Sequence, residues 1–315
     1  MKIIKAILSF FLIVVFFISV IVYFYGYKID FYLFPPSTKT YVKVAVEKMD
    51  ILGIYTNSKE WTKTKEETLK NIKPRDTYSD TIPILKKVIR IAGGKHSFID
   101  DENTSTQSNM SYIKPKVSIE HSILILSLPE FTGNEKEAKD YATILESSLH
   151  KNNYKGVIVD LRGNKGGDMS PMILGLSPIL PDGKLFTYMD KNNNFIPVIL
   201  KNGKLNSGGT EIKIDNKEKQ ENFPIGILID KSTGSSGELT ALSFKGLSNV
   251  KYFGSDSAGY TSANQEVCLY DGLRMYITTA FIKDRTNKVY KNTSIIPDMQ
   301  TKDSKNSAIE WINDR

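Results

Sequence analysis

The sequence predicts an α/β protein, α+β overall, and three observations carry that prediction. From Ser118 onward, apolar strand-like runs alternate with helical ones, the pattern of a parallel or mixed sheet with crossover helices. Residues 41–92 place apolar side chains at helical spacing and predict a small N-terminal helical bundle. Ahead of them stands a run that is apolar on every face, which predicts one N-terminal transmembrane helix.

That run begins after "MKIIK". Ala6 to Tyr25 holds no charge and only two serines. Its twenty residues, at about 1.5 Å each, give about 30 Å, the thickness of a bilayer's hydrocarbon core. Tyr23, Tyr25 and Tyr27 sit at its end, as in an interfacial aromatic belt. No small-residue cleavage site follows, and no cysteine is there to accept lipid. Residues 1–27 are therefore expected to be an uncleaved, single-pass anchor. Lys2 and Lys5 would lie on the inner side of the cell membrane and the remaining chain outside the cell.

The bundle is expected over residues 28–95, after the linker "FPPSTKT". Ser58 with Glu60 marks one helix start, and Pro83 and Gly93-Gly94 bracket another helix. In the second half "HSILILSLPEF", "YKGVIVDLRGN" and "IGILID" read as strands, with helices between and after them. Residues 182–223 hold short strand-like runs, "KLFTYMD" and "FIPVILKNGK", between Asn and Gly turns. They are expected to form a β-rich cap inserted into a core of residues 96–181 and 224–315.

Composition bounds the chemistry. With 315 residues, 40% apolar and 24% charged, the chain can bury a sizeable core. One cysteine, Cys268, excludes an intramolecular disulfide and a Cys-based zinc site; its strand-like surroundings read as packing. The net charge of +7 is scattered. With no nucleic-acid-binding motif present, no nucleic-acid partner is expected, and an anionic membrane or wall surface suits the charge better. Nothing indicates a metal or organic cofactor.

Two strand ends stand out, because ligands bind beyond the carboxyl ends of strands in an open α/β sheet. One is "VIVDLRGNKGGDM", where Gly166 and Gly167 offer backbone N–H groups to an anion or oxyanion. It has neither the GK[ST] of a phosphate loop nor GxGxxG. The other is "TGSSGELTALSFKG", from Thr233. A serine at a strand-to-helix turn fits a nucleophile elbow, but Ser235 or Ser236 fits a helix N-cap equally well, with Glu238 close behind. A serine nucleophile needs a base. Of the three histidines, His121 and His150 read as surface residues. His96, in the loop "IAGGKHSFID", is the best candidate.

Five motifs in order resemble the C-terminal processing, or tail-specific, serine peptidases: "DLRGNKGG" from Asp160, "SSGE" from Ser235, "GSDSAGY" from Gly254, "LYDGLRMYIT" from Leu269 and "SIIPD" from Ser294. The resemblance implies a tail-specific-protease-like core and a serine-type peptidase. It makes Ser235 the nucleophile, with Ser236 the alternative by one register. Ser236 N–H and Gly166 or Gly167 would form the oxyanion hole. Tyr260 stands where that family carries its Lys base, and some branches use a His ahead of the first core strand instead, so His96 inherits the role. Too few residues separate His96 from the strand near Ser122 for the family's PDZ domain. Asn264, Glu266 and Tyr260 are the expected substrate-binding residues.

The anchor, the bundle, the missing PDZ domain and stretches such as "GGKHSF", "PEFTG" and "SDSAGYTSAN" resemble the branch whose members resist lantibiotics at the surface of Gram-positive bacteria. That resemblance implies a peptide substrate, nisin or a related lantibiotic, cut just after its last thioether ring. A monomer is expected. The alternatives at this point are a general processing protease for secreted proteins and a non-catalytic protein that sequesters the lantibiotic.

Overall fold

The computed structural model describes residues 2–29, 31–73, 76–101, 112–150, 154–214, 219 and 223–315; within these, the side chains of Lys2, Lys5, Ala6, Phe24, Tyr27 and Lys28 are not described. Two compact units emerge. The first combines residues 1–106 with 264–279, and the second combines 107–263 with 280–315.

The first unit begins with helix α1 (Lys2–Tyr25). Its described apolar side chains from Ile3 to Tyr25 are exposed, except those of Val20 and Val22, which are half-buried. The spanning helix expected here is not established, because among the described residues no helix is long and apolar enough to cross a membrane. Helices α2 (Thr38–Leu52), α3 (Lys59–Asn71) and α4 (Tyr78–Gly93) follow. Side chains cap them: Ser37 accepts from Thr40 N–H, Ser58 from Trp61 N–H and Thr77 from Asp80 N–H, each satisfying a donor that the first turn leaves unpaired. α4 starts ahead of the Pro83 region because Thr77 and Asp80 form a reciprocal capping box. It stops at Gly94, whose φ of 81° a residue with a Cβ adopts only under strain.

Strand β1 (Phe98–Asp100) pairs antiparallel with residues 274–276. Residues 264–279 belong to this unit because Leu269, Leu273, Met275 and Ile277 are buried against Tyr41, Met49, Trp61, Leu85 and Ile89 of the helices.

The second unit is built on a six-stranded sheet. Its strands are β2 (Lys116–Glu120), β3 (Ile123–Ser127), β4 (Gly156–Asp160), β8 (Ile225–Ile229), β9 (Val250–Gly254) and β13 (Met299–Gln300), and their spatial order is β13-β9-β8-β4-β3-β2. All neighbours are parallel except β2, an antiparallel edge strand. The sheet is therefore mixed, as expected. The inner strands β4 and β8 are continuous apolar runs buried on both faces. One face packs on α5 (Glu135–Leu149), α6 (Met169–Gly175) and α7 (Ser236–Leu242). The other face packs on α8 (Ser304–Asn313) through Ala308, Ile309 and Ile312.

Between α6 and β8, β5 (Gly183–Asp190), β6 (Phe195–Lys201) and β7 (Lys204–Leu205) form an antiparallel ribbon. β10 (Ser262–Cys268), β11 (Arg274–Asp284) and β12 (Val289–Tyr290) complete the strands. Residues 280–284 of β11 pair with β5, so the 183–205 hairpin joins a sheet. Cys268 is exposed on β10 rather than packed.

Candidate active site

The two glycine-bearing turns leave adjacent parallel strands, β4 and β8, at the same edge of the sheet. They are knitted together. Thr233 Oγ1 donates to the Leu161 carbonyl at 2.9 Å, and Gly234 N–H donates to the Asn164 carbonyl at 2.9 Å. Asn164 is fully buried and serves as the hub. Its amide nitrogen donates to the Leu128 and Pro129 carbonyls at 2.9 and 3.1 Å, and its Oδ1 accepts from Gly166 N–H at 2.9 Å. Asp160 and Arg162 close the strand end as a bidentate pair at 2.8 and 2.7 Å.

These bonds distinguish the two glycines. Gly166 N–H is committed to Asn164, so its expected availability to an oxyanion does not hold. Among the described residues, Gly167 N–H and Ser236 N–H donate no hydrogen bond. Both glycines are required by space. A Cβ on Gly166 would lie 2.7 Å from Ser235 Cβ, and one on Gly167 would lie 1.9 Å from the Phe131 carbonyl oxygen, with φ at +117° and +91°. The Gly166–Gly167 turn thus lies directly against the serine turn.

Ser235 precedes α7 with φ +50° and ψ −120°. An N-cap residue lies in the β region, whereas this conformation is one that a residue with a Cβ avoids. Ser236 Oγ donates to the Gly167 carbonyl at 2.5 Å, so its hydroxyl is occupied inside the turn. Gly237 sits over Asn164, whose carbonyl oxygen would be 2.8 Å from an added Cβ.

Glu238 is fully buried. Its Oε2 accepts from Ser235 N–H at 3.0 Å and Tyr260 N–H at 2.7 Å, while Oε1 accepts from Gly259 N–H at 2.8 Å and from Ser257 Oγ. Burial raises its pKa, and the four hydrogen bonds oppose that rise. The Tyr260 ring edge and Ala258 Cβ would both lie 3.4 Å from a Cβ on Gly234. Tyr260 is partly exposed beside the serine turn.

In the first unit, His96 follows the α4 stop and precedes β1. It is 9% exposed, and burial, with a smaller effect from Lys95, lowers its pKa to about 4. A relay holds its backbone. Thr278 N–H donates to Ser97 Oγ at 2.8 Å, Ser97 Oγ to Thr278 Oγ1 at 3.0 Å, and Thr278 Oγ1 to Asn264 Oδ1 at 2.8 Å. Asn264 Nδ2 then donates to the His96 carbonyl at 2.8 Å. Asn264, expected to bind substrate, makes a hydrogen bond at each end of its amide and supports the His96 backbone. Glu266 lies exposed on β10 and bonds the Tyr276 hydroxyl.

The other histidines sit elsewhere. His121 occupies the exposed β2–β3 turn at φ 51°, and His150 Nε2 pairs with Glu146 Oε1 at 3.0 Å. Among the described residues, no group of three or more His, Cys, Asp or Glu is placed to hold a metal ion.

The pattern of Peptidase family S41 covers residues 122–301. A nisin-resistance protein of Lactococcus lactis subsp. lactis is 60% identical over 293 residues, spanning 93% of this chain and 92% of its own. A lipoprotein from Streptococcus agalactiae has a solved structure that aligns with a TM-score of 0.82 at 33% identity, over 91% of this chain and 99% of its own. The photosystem II D1 C-terminal processing protease shares the fold, with a TM-score of 0.59 at 12% identity over 85% of this chain and 94% of its own.

The lowered His96 pKa has a consequence for stability. From its ordinary value of 6.5 down to about 4, the unfolded chain binds a proton that the folded chain refuses. The stability His96 permits is therefore full above 6.5 and falls as pH drops through this window. Melting temperatures of wild type and His96→Asn should diverge progressively between these pH values, the wild type losing more. Parallel curves would show that His96 is not held neutral by burial.

Proposed function

The chain belongs to peptidase family S41 and is a serine-type peptidase, and we propose that it cleaves the linear C-terminal tail of the lantibiotic nisin or a close relative, just after the last thioether ring. The observation that carries this reading is 60% identity across nearly the full length of a nisin-resistance protein. Loss of the tail would confer resistance on a Gram-positive cell.

The chemistry follows from the residues. His96 acts as general base and takes the proton from Ser235 Oγ. The oxygen attacks the scissile carbonyl, and the oxyanion is held by Gly167 N–H and Ser236 N–H. His96 returns the proton to the leaving amine, releasing the tail. Water, deprotonated in the same way, then frees the ring-bearing fragment from Ser235. Three features favour this assignment. Ser235 is strained, the Ser236 hydroxyl is occupied, and burial keeps His96 neutral at physiological pH, while His121 lies in an exposed turn and His150 is hydrogen-bonded to Glu146. Tyr260, beside the serine turn, and exposed Glu266 remain candidates to contact the cationic peptide.

Membrane attachment through α1 belongs to the same reading, with the catalytic part outside the cell. Its support is the run of exposed apolar side chains on α1, which water solvates poorly. The similar Streptococcus agalactiae structure is described as a lipoprotein. Here the one cysteine, Cys268, lies on β10.

Two experiments test these statements. Mass spectrometry of nisin incubated with the detergent-solubilised chain should show a product lacking the linear tail. His96→Ala and Ser235→Ala should abolish it, and Ser236→Ala should retain activity; intact nisin with wild type would refute the substrate. Membranes of expressing cells should keep the protein through a carbonate wash and release it when residues 1–27 are deleted. Release of the full chain would refute the anchor.

A further inference from the structure

We propose that Glu238 is the positioning residue of the nucleophile, its ionised carboxylate clamping the Ser235 peptide to the 257–260 loop so that Ser235 stays in its strained conformation. This rests on the reading of Ser235 as nucleophile and goes beyond helix capping. A capping box needs one bond from the third helical residue back to the cap. Here that bond is one of four, and the other three come from Ser257, Gly259 and Tyr260, distant in sequence. A surface cap is solvated, whereas this carboxylate is wholly buried, and such burial is costly unless every lone pair is used.

The ring of partners fixes its protonation state. Three backbone N–H groups donate to it and cannot reverse role. Ser257 Oγ also accepts from Ile295 N–H at 2.7 Å, so its own proton points to Glu238. A protonated carboxyl or an amide must face one donor with another, which opens the clamp. Titratable groups on the surrounding elements are Lys165, Asp230, Lys231, Asp256 and Tyr260. None of their charges is among the causes acting on Glu238, which are burial and the four bonds. Releasing the clamp lets Ser235 relax, and displacing a reacting atom by about 1 Å can cost about 100-fold in rate.

The test is the rate at which a fluorophosphonate labels the full-length protein, which reads nucleophile reactivity independently of peptide binding. Glu238→Gln should be labelled about 100-fold more slowly while keeping its circular dichroism spectrum, and its KM for peptide should be unchanged. Ser257→Ala keeps the carboxylate and removes one opposing bond, so its acid limb of labelling should move to higher pH. Labelling of folded Glu238→Gln at the wild-type rate would overturn the proposal. If Glu238→Gln does not fold, an unshifted acid limb in Ser257→Ala overturns it instead. Labelling that persists in Ser235→Ala would sink the nucleophile assignment, and the proposal with it. Loss of labelling there with a wild-type rate in Glu238→Gln would sink the positioning role alone.

Discussion

A serine at φ +50° and ψ −120° carries backbone strain of about 1–3 kcal/mol, and the surrounding structure must hold it there. On one side is Gly166, bare of a side chain where a Cβ would stand 2.7 Å from Ser235 Cβ. On the other is the Glu238 carboxylate, bonded to Ser235 N–H. Neither support is local to the serine. Gly166 is held by Asn164 at the end of β4, and Glu238 by the loop that follows β9. Parallel pairing of β4 with β8 and of β8 with β9 brings these turns to one edge. The sheet order thereby becomes a local geometry at one residue.

Polar burial follows the same logic. Asn164 and Glu238 are both wholly buried, which is tolerable only because each is saturated with partners. Such saturated networks define one arrangement, since a shifted turn would strand several donors together. In the other unit, Thr278, Ser97 and Asn264 do for the His96 backbone what Asn164 does for Gly166. In both units, side chains that perform no chemistry hold the residues that could.

Much of this was legible in the sequence. The alternation of apolar runs located β3, β4 and β8, and the motif order located both glycine turns. What was not legible depends on partners distant in the chain. "GNKGG" reads the same whichever N–H is free, and only Asn164 Oδ1 decides it. Glu238 looks like a cap because its partners at 257–260 lie beyond any local window. The bond from the Asn264 amide to the His96 carbonyl spans 168 positions and has no local signal. β2 is hidden because its turn uses His121 and Ser122 at positive φ rather than the Asn-Gly signal of a tight hairpin. The start of α4 is hidden because Asp80, not the usual Glu or Gln, completes the box with Thr77.

Whether Ser235 carries out the chemistry is decided by trapping the acyl-enzyme. Protein quenched in acid during turnover on nisin would be digested, and its peptides mapped by mass. With Ser235 as nucleophile, the ring-bearing fragment of nisin is found esterified to Ser235 and the linear tail free in solution. An adduct on Ser236, or turnover with no serine ester at all, would contradict that assignment.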